Sequence, residues 1–344
     1  MNQSVWPIMF ADLPVLGVCG WSGAGKTTLI EEVLPALLGR GLSVAVVKHD
    51  AHGITVDPAG KDSDRLFRAG ADVCLQGPGE ELRRAHIAAA DLDGTLRELA
   101  AGRDVVLVEG RKGTPLAKVW LLGEGESAAP AGVSEVLAAL PPGPGRAARL
   151  IEVLDRWLPE RWLRTPVFGC VLIGGRSRRM GRPKHLITTD GRTWLERTVE
   201  LLRPLAAEVV IAGAGEVPAS LAAAPRVPDA PGAQGPMAGV LAAMRWAPWA
   251  SWLVAACDLP DLSAGALSWL LAGRAPGVWA TLPRLTGAPG VEPLLAHYDF
   301  RARALIEKLA GRGQWRLSEI AASAKVITPP PPPELAGAWR NVNS

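Results

Sequence analysis

The feature that most constrains this chain is the octapeptide Gly20-Trp21-Ser22-Gly23-Ala24-Gly25-Lys26-Thr27. It satisfies G-x-x-x-x-G-K-[ST] at every fixed position, in the context that the pattern demands. The apolar run 14–19 (PVLGVC) precedes it and reads as a strand covered on both faces. A stretch from Thr27 to Leu38 follows, with Leu29, Ile30, Val33, Leu34 and Leu37 at helical spacing, and Gly39 and Gly41 end it. The glycines (Gly20, Gly23, Gly25) let successive N–H groups face a phosphate. Lys26 adds a point charge, Thr27 offers a hydroxyl to Mg²⁺, and the helix N-terminus adds a favourable dipole. A glycine-rich turn with a chance lysine is the bland alternative, and the strand–helix context weighs against it.

The rest of the first half repeats strand and helix. Residues 43–47 and 104–108 read as buried strands, and 61–70 and 80–101 as helices, which implies a parallel α/β sheet. The strand from Asp104 ends in Glu109, a carboxylate placed as one that reaches Mg²⁺ or its water would be, although acids often follow buried strands without such a role. Lys48-His49-Asp50-Ala51-His52-Gly53 and the loop from Asp57 to Asp64 fall at the carboxyl ends of strands, where such sheets bind ligands. His49, His52 and Asp57 are conceivable metal ligands, but they have no recognised spacing, and two solvated loops are the plainer reading.

At 344 residues, two domains are expected. Residues 124–149 turn rich in Gly, Pro and Ala around a short helical piece, Val133–Leu140, and 150–163 has the spacing of one more helix before Thr165-Pro166. The expected units are therefore 1–162 and 163–344. In the second, 167–173, 208–212 and 252–256 read as strands and 193–203 and 237–246 as helices, a second parallel α/β unit. Five prolines at 329–333 suggest a stiff spacer.

Composition mainly excludes. The net charge of +3, without a basic run, argues against nucleic acid. No uncharged apolar stretch of about 18 residues exists, so no membrane span is expected, and the first residues lack the pattern of a secretory leader. Four scattered cysteines without a CxxC pair fit a reducing cytoplasm. Only eight of 37 basic residues are Lys, so each retained ammonium invites a reason. Thirteen Trp leave room for large interfaces, and a homo-oligomer stays open, though Trp at helical spacing is more often core.

A second glycine-rich loop runs from Leu172 and Ile173 through Gly174, Gly175, Arg178, Arg179 and Lys184. The glycines permit close approach to a nucleotide, and three cations offset much of a triphosphate's charge. A basic surface loop is the alternative, weakened because Lys184 is the only Lys between 118 and 308. Asp258 closes the strand WLVAA-Cys257-Asp258, and a strand-end carboxylate beside a polyphosphate suits Mg²⁺.

These segments carry a double resemblance. The octapeptide, VVKHDAHG, DPAGKDSDRLFRAGA and DVVLVEGRKG, over about 14–122, resemble the molybdopterin-guanine dinucleotide biosynthesis adaptor family, MobB. That resemblance implies a GTP-binding domain of weak hydrolase activity that assists a partner enzyme, with Gly23, Gly25, Lys26, Thr27 and Thr28 on GTP phosphates and Mg²⁺. The loop 172–184, Asp229-Ala-Pro-Gly-Ala-Gln-Gly235-Pro236-Met237-Ala238-Gly239, Cys257-Asp258-Leu259-Pro260, Glu292-Pro293 and the final WRNVNS resemble the molybdenum cofactor guanylyltransferases, MobA, over about 167–344. There are departures: Ala212-Gly213-Ala214 stands where that family often carries a guanine-contacting Asn, and Met237 replaces Leu.

The joint resemblance implies an α/β fold of two parallel-sheet, three-layer domains, the first P-loop NTPase-like and the second a Rossmann-like nucleotidyltransferase. It implies GMP transfer from GTP to molybdopterin with release of pyrophosphate. Asp258, with Asp229 as second candidate, would hold Mg²⁺, and Lys184 and Arg179 would stabilise phosphate charge. Implied partners are GTP, molybdopterin, a molybdenum insertion protein, and apo-molybdoenzymes or their chaperones. The same chemistry with CTP, a sugar-1-phosphate nucleotidyltransferase, a P-loop kinase and a non-catalytic nucleotide-binding scaffold remain as alternatives.

Overall fold

The computed structural model describes residues 12–49, 58–88, 91–174 and 183–341. The first half holds β1 (Val15–Gly20), α1 (Lys26–Gly39), β2 (Val44–Lys48), α2 (Asp62–Arg68), β3 (Val73–Gln76), β4 (Glu81–Arg84), α3 (Leu92–Ala100), β5 (Val105–Glu109), β6 (Lys118–Leu121), β7 (Val136–Leu140) and α4 (Arg146–Arg164). Its main sheet is parallel throughout, in the order β2-β5-β1-β6-β7. Side chains of β1, β5 and β6 are buried on both faces, which explains their unbroken apolar runs. One face packs on α1 and α4 through Leu29, Val33, Leu37, Leu150, Leu154 and Leu158. The other packs on α3 through Leu96 and Ala100.

Two local expectations fail here. Val136–Leu140 is the strand β7, not a helix, because its backbone completes the ladder on the open side of β6. The helix expected over 80–101 begins as β4, which pairs antiparallel with β3, and only Leu92–Ala100 is helical, capped by the Asp91 carboxylate on Gly94 N–H (2.9 Å).

The second half adds β8 (Val167–Leu172), the short ribbon β9 (Thr188–Thr189) and β10 (Arg192–Thr193), α5 (Trp194–Leu202), β11 (Glu208–Ala212), β12 (Arg226–Val227), α6 (Pro236–Trp246), β13 (Ser251–Ala256), α7 (Ala264–Ala272), β14 (Ala280–Thr281), β15 (Leu295–Tyr298), α8 (Ala302–Ala310) and β16 (Val326–Ile327). The sheet order is β12-β11-β8-β13-β15-β14-β16. It is mixed rather than purely parallel, since β15 runs antiparallel to both β13 and β14. Helices cover both faces, α6 and α8 on one and α5 and α7 on the other. The proline run is not a free spacer: Leu335 beyond it packs against Gly265 of α7, and the Trp339 indole N–H, buried, donates to the Leu295 carbonyl at 2.9 Å.

Candidate functional site

Both candidate sites form at the carboxyl ends of parallel strands, where such sheets bind ligands. In the first half, β1 delivers the octapeptide and α1 starts at Lys26. Gly23 and Gly25 hold φ of 77° and 82°, left-handed values that a β-carbon would strain. Gly25 is the N-cap of α1 without a side-chain cap, so the first helical N–H groups are left for an anion. Gly20 faces β6, where a β-carbon would stand 3.0 Å from the Leu121 carbonyl oxygen. Lys26 Nζ folds over the loop to the carbonyls of Gly20 (3.2 Å) and Trp21 (2.8 Å).

Thr27 donates its hydroxyl to Glu109 Oε1 at 2.9 Å, across 82 residues of sequence. Thr28, the next residue of α1, is exposed. Lys48 Nζ lies 3.4 Å from both the Thr27 hydroxyl and the Glu109 carboxylate. The hydroxyl and carboxylate are hard oxygen donors, and Mg²⁺ in phosphate sites takes one or two protein oxygens of this kind, so the residues fit it. His49 Nδ1 meets Arg111 Nη2 at 3.0 Å, and Arg111 itself holds a left-handed φ of 56°. His52 and Asp57 lie outside the described residues, and among the described residues no group of three or more His, Cys, Asp or Glu could hold a metal.

In the second half, Lys184 sits in a short 3-10 turn after the loop and Asp258 follows β13. They meet: Lys184 Nζ donates to Asp258 Oδ2 at 2.9 Å, with only 17 % and 15 % of the two side chains exposed. Leu172 ends β8 and Ile173 follows it, its N–H bonded to the Ala212 carbonyl at 2.9 Å, with Gly174 next at the loop's start. Asp229 is exposed and its carboxylate points toward α6, near Gly239. Gly235 is the N-cap of α6 without a side-chain cap, Pro236 opens the helix with no N–H of its own, and the Ala238 N–H donates to the Gly235 carbonyl at 3.0 Å. Gly175, Arg178 and Arg179 lie outside the described residues. Burial pushes the neighbouring Cys257 thiol up to about 12, so it offers no thiolate nucleophile.

Residues 15–139 match the family described as molybdopterin guanine dinucleotide synthesis protein B, MobB. Residues 169–326 match the MobA-like NTP transferase domain. The chain is 35% identical over 124 residues to the molybdopterin-guanine dinucleotide biosynthesis adapter protein of Escherichia coli, covering 33% of this chain and 67% of that protein. It is 37% identical over 159 residues to the probable molybdenum cofactor guanylyltransferase of Opitutus terrae, covering 45% of this chain and 77% of that one. The chain joins a MobB domain to a MobA-like domain. Against the adapter protein of Haemophilus influenzae, 40% identical over 114 residues (32% of this chain), it spans 63% of the relative's length.

Sequence reasoning missed several residues that shape both sites. In the MobB half, Arg146 at the start of α4 donates to the carbonyls of Ala24 (2.8 Å), Leu122 (2.8 Å) and Pro141 (2.9 Å), tying the phosphate loop to the ends of β6 and β7. In the MobA-like half, Gly213 holds a φ of 110°, and a β-carbon there would stand 2.1 Å from the Ile173 carbonyl oxygen, so any other residue forces the turn to shift. Arg226 braces the same turn, donating to the Gly215 carbonyl at 2.9 Å. No pattern in the sequence signals these carbonyl clamps, because their acceptors are backbone atoms.

Proposed function

We propose that the chain transfers GMP from GTP to molybdopterin, giving the guanine dinucleotide form of the cofactor and pyrophosphate, and that units 1–162 and 163–344 divide the work. The observation that carries this is the meeting of Lys184 and Asp258 just beyond the carboxyl end of β13, in a MobA-like domain fused to a MobB domain. A terminal phosphate oxygen of molybdopterin would attack the α-phosphorus of GTP, the bond to the bridging oxygen would break, and the electron pair would leave with pyrophosphate. The acceptor is already anionic, so no side-chain nucleophile is needed.

Positioning and charge neutralisation then supply the catalysis. The Gly174 turn, joined by Gly235 on the strength of the sequence resemblance, would cradle phosphates, and Lys184 would move from Asp258 onto the polyphosphate as negative charge develops. Arg179 and Gly175 join this proposal from the sequence alone. Asp258, assisted by Asp229, supplies hard oxygens that fit Mg²⁺, which when bound neutralises phosphate charge. In the first unit, Gly20, Gly23, Gly25, Lys26, Thr27 and Thr28 would hold a second GTP, with Glu109 on the metal side and slow hydrolysis as its activity. A molybdenum insertion protein, and apo-molybdoenzymes or their chaperones, are the proposed protein partners. The cytoplasm is the proposed location; among the described residues no helix is long and apolar enough to cross a membrane.

The test is a turnover assay of purified protein with molybdopterin and either GTP or CTP, reading pyrophosphate and the dinucleotide product. GTP-dependent release of pyrophosphate is expected. Nucleotide binding without pyrophosphate release would reduce the second unit to a scaffold, and turnover with CTP alone would replace the substrate.

A further inference from the structure

Asp104, just before β5, is fully buried and receives donors from both halves of the chain. From its own half come the Ser43 N–H (2.6 Å) and the Ser43 hydroxyl (2.8 Å). From the other come the Trp279 indole N–H (2.7 Å) and the Lys325 ammonium, which also donates to the Gly41 carbonyl at 2.6 Å. A second post stands beside it. Arg301, 1 % exposed and paired with Asp299, donates through Nε to the Arg103 carbonyl at 2.9 Å, and its guanidinium lies 4.1 Å from the ring centre of Trp162 at the end of α4. A buried carboxylate lacking such partners would be strongly unfavourable, so the joint is complete only when the halves meet.

The topology fixes where this joint lies. Ser43 and Asp104 precede β2 and β5, so they sit at the amino ends of the first sheet, opposite the phosphate loop and Glu109. Trp279 and Lys325 precede β14 and β16, and Ala280 pairs with Tyr298, which pairs with Trp252 near the start of β13. They too lie at the amino end, opposite Asp258. Each phosphate site is thus about 16–20 Å of strand away from the joint, on its far side.

We infer that the two halves form one rigid body docked base to base at Asp104, Trp279 and Lys325, with their two phosphate sites facing opposite ways. A ligand leaving one site reaches the other only through solvent or by way of another protein molecule. The joint also explains Lys325, whose position far from both motifs had no reason in the sequence.

The test places spin labels at Ser22→Cys and Gln234→Cys in full-length protein carrying Cys74→Ser; the other native cysteines, Cys19, Cys170 and Cys257, are buried. Both label positions are exposed, one at each site. Electron-electron double resonance should give one narrow distance distribution centred beyond about 35 Å, the sum of the two strand lengths. Adding Trp279→Phe with Lys325→Met should broaden it at least twofold. A broad parent distribution, a centre well below that distance, or an unchanged width in the double variant would overturn the proposal. Should the double variant fail to fold, the parent distribution and Trp279→Phe alone, which keeps a six-membered aromatic ring but loses the indole N–H, still decide.

Discussion

Removing the Lys184 ammonium tests both the geometry and the chemistry of the MobA-like site. Lys184→Met leaves the Asp258 carboxylate with about one-sixth of its side chain exposed and no cation at 2.9 Å. Breaking a fully buried pair from one side costs about 3–5 kcal/mol. Residual solvent access lowers that to about 2–3 kcal/mol here, or roughly 5–10 °C in the melting temperature of a unit of this size. Asp258→Asn should cost less, about 1–2 kcal/mol, because the flexible lysine can swing toward water. The double variant buries neither charge and should be less destabilised than the sum of the singles by about 2 kcal/mol. Activity should behave differently: each single variant, and the double, should lose pyrophosphate release by at least ~10²–10³-fold, the usual scale for one preorganised charge. Thermal melts and the turnover assay on all four proteins check this. Additive melts within about 0.5 kcal/mol would mean that the pair does not form, and wild-type turnover by Asp258→Asn would remove that carboxylate from the reaction.

Three further outcomes follow from particular contacts. Thr27→Ala or Glu109→Gln should weaken nucleotide binding at the MobB site about tenfold or more and shrink the difference between titrations with and without Mg²⁺, while GMP transfer at the other pole persists; fluorescent-nucleotide titration reads it. Gly213→Ala should destabilise the MobA-like unit by at least ~2–3 kcal/mol through combined overlap and backbone strain, seen as a lower melting temperature. His297 is fully buried, with no partner on either ring nitrogen among the described residues, and burial pulls its pKa down to about 3. It stays neutral in the fold while the unfolded chain takes up a proton below its ordinary value of 6.5, so stability should fall by up to about 1.4 kcal/mol per pH unit between pH 6.5 and 3. Denaturant midpoints of His297→Leu across that range should show a flatter profile; an equal slope would contradict the burial argument.

The sheets and helices around both sites were legible because buried parallel strands and glycine-rich turns leave local marks. β1, β11 and β13 were placed within a residue or so by their apolar runs, and the octapeptide was readable as a unit because eight consecutive residues do its work. β7 was not, since VLAAL suits a helix as well as a strand, and only the open edge of β6 decides between them. The hairpin β3–β4 hid in a charged stretch with no alternation of buried positions for the same reason: its pairing is with itself.

By itself, then, the sequence determined two α/β units, the places of the phosphate loops, and the residue types that meet anions there, because these depend on neighbours in the chain. The tertiary structure alone decided which distant groups face one another. Lys184 finds Asp258 across 74 residues, Thr27 finds Glu109 across 82, and Lys325 finds Asp104 across 221. Each of these pairs depends on which strands lie side by side and on which ends of the two sheets abut, and neither is encoded in any local pattern.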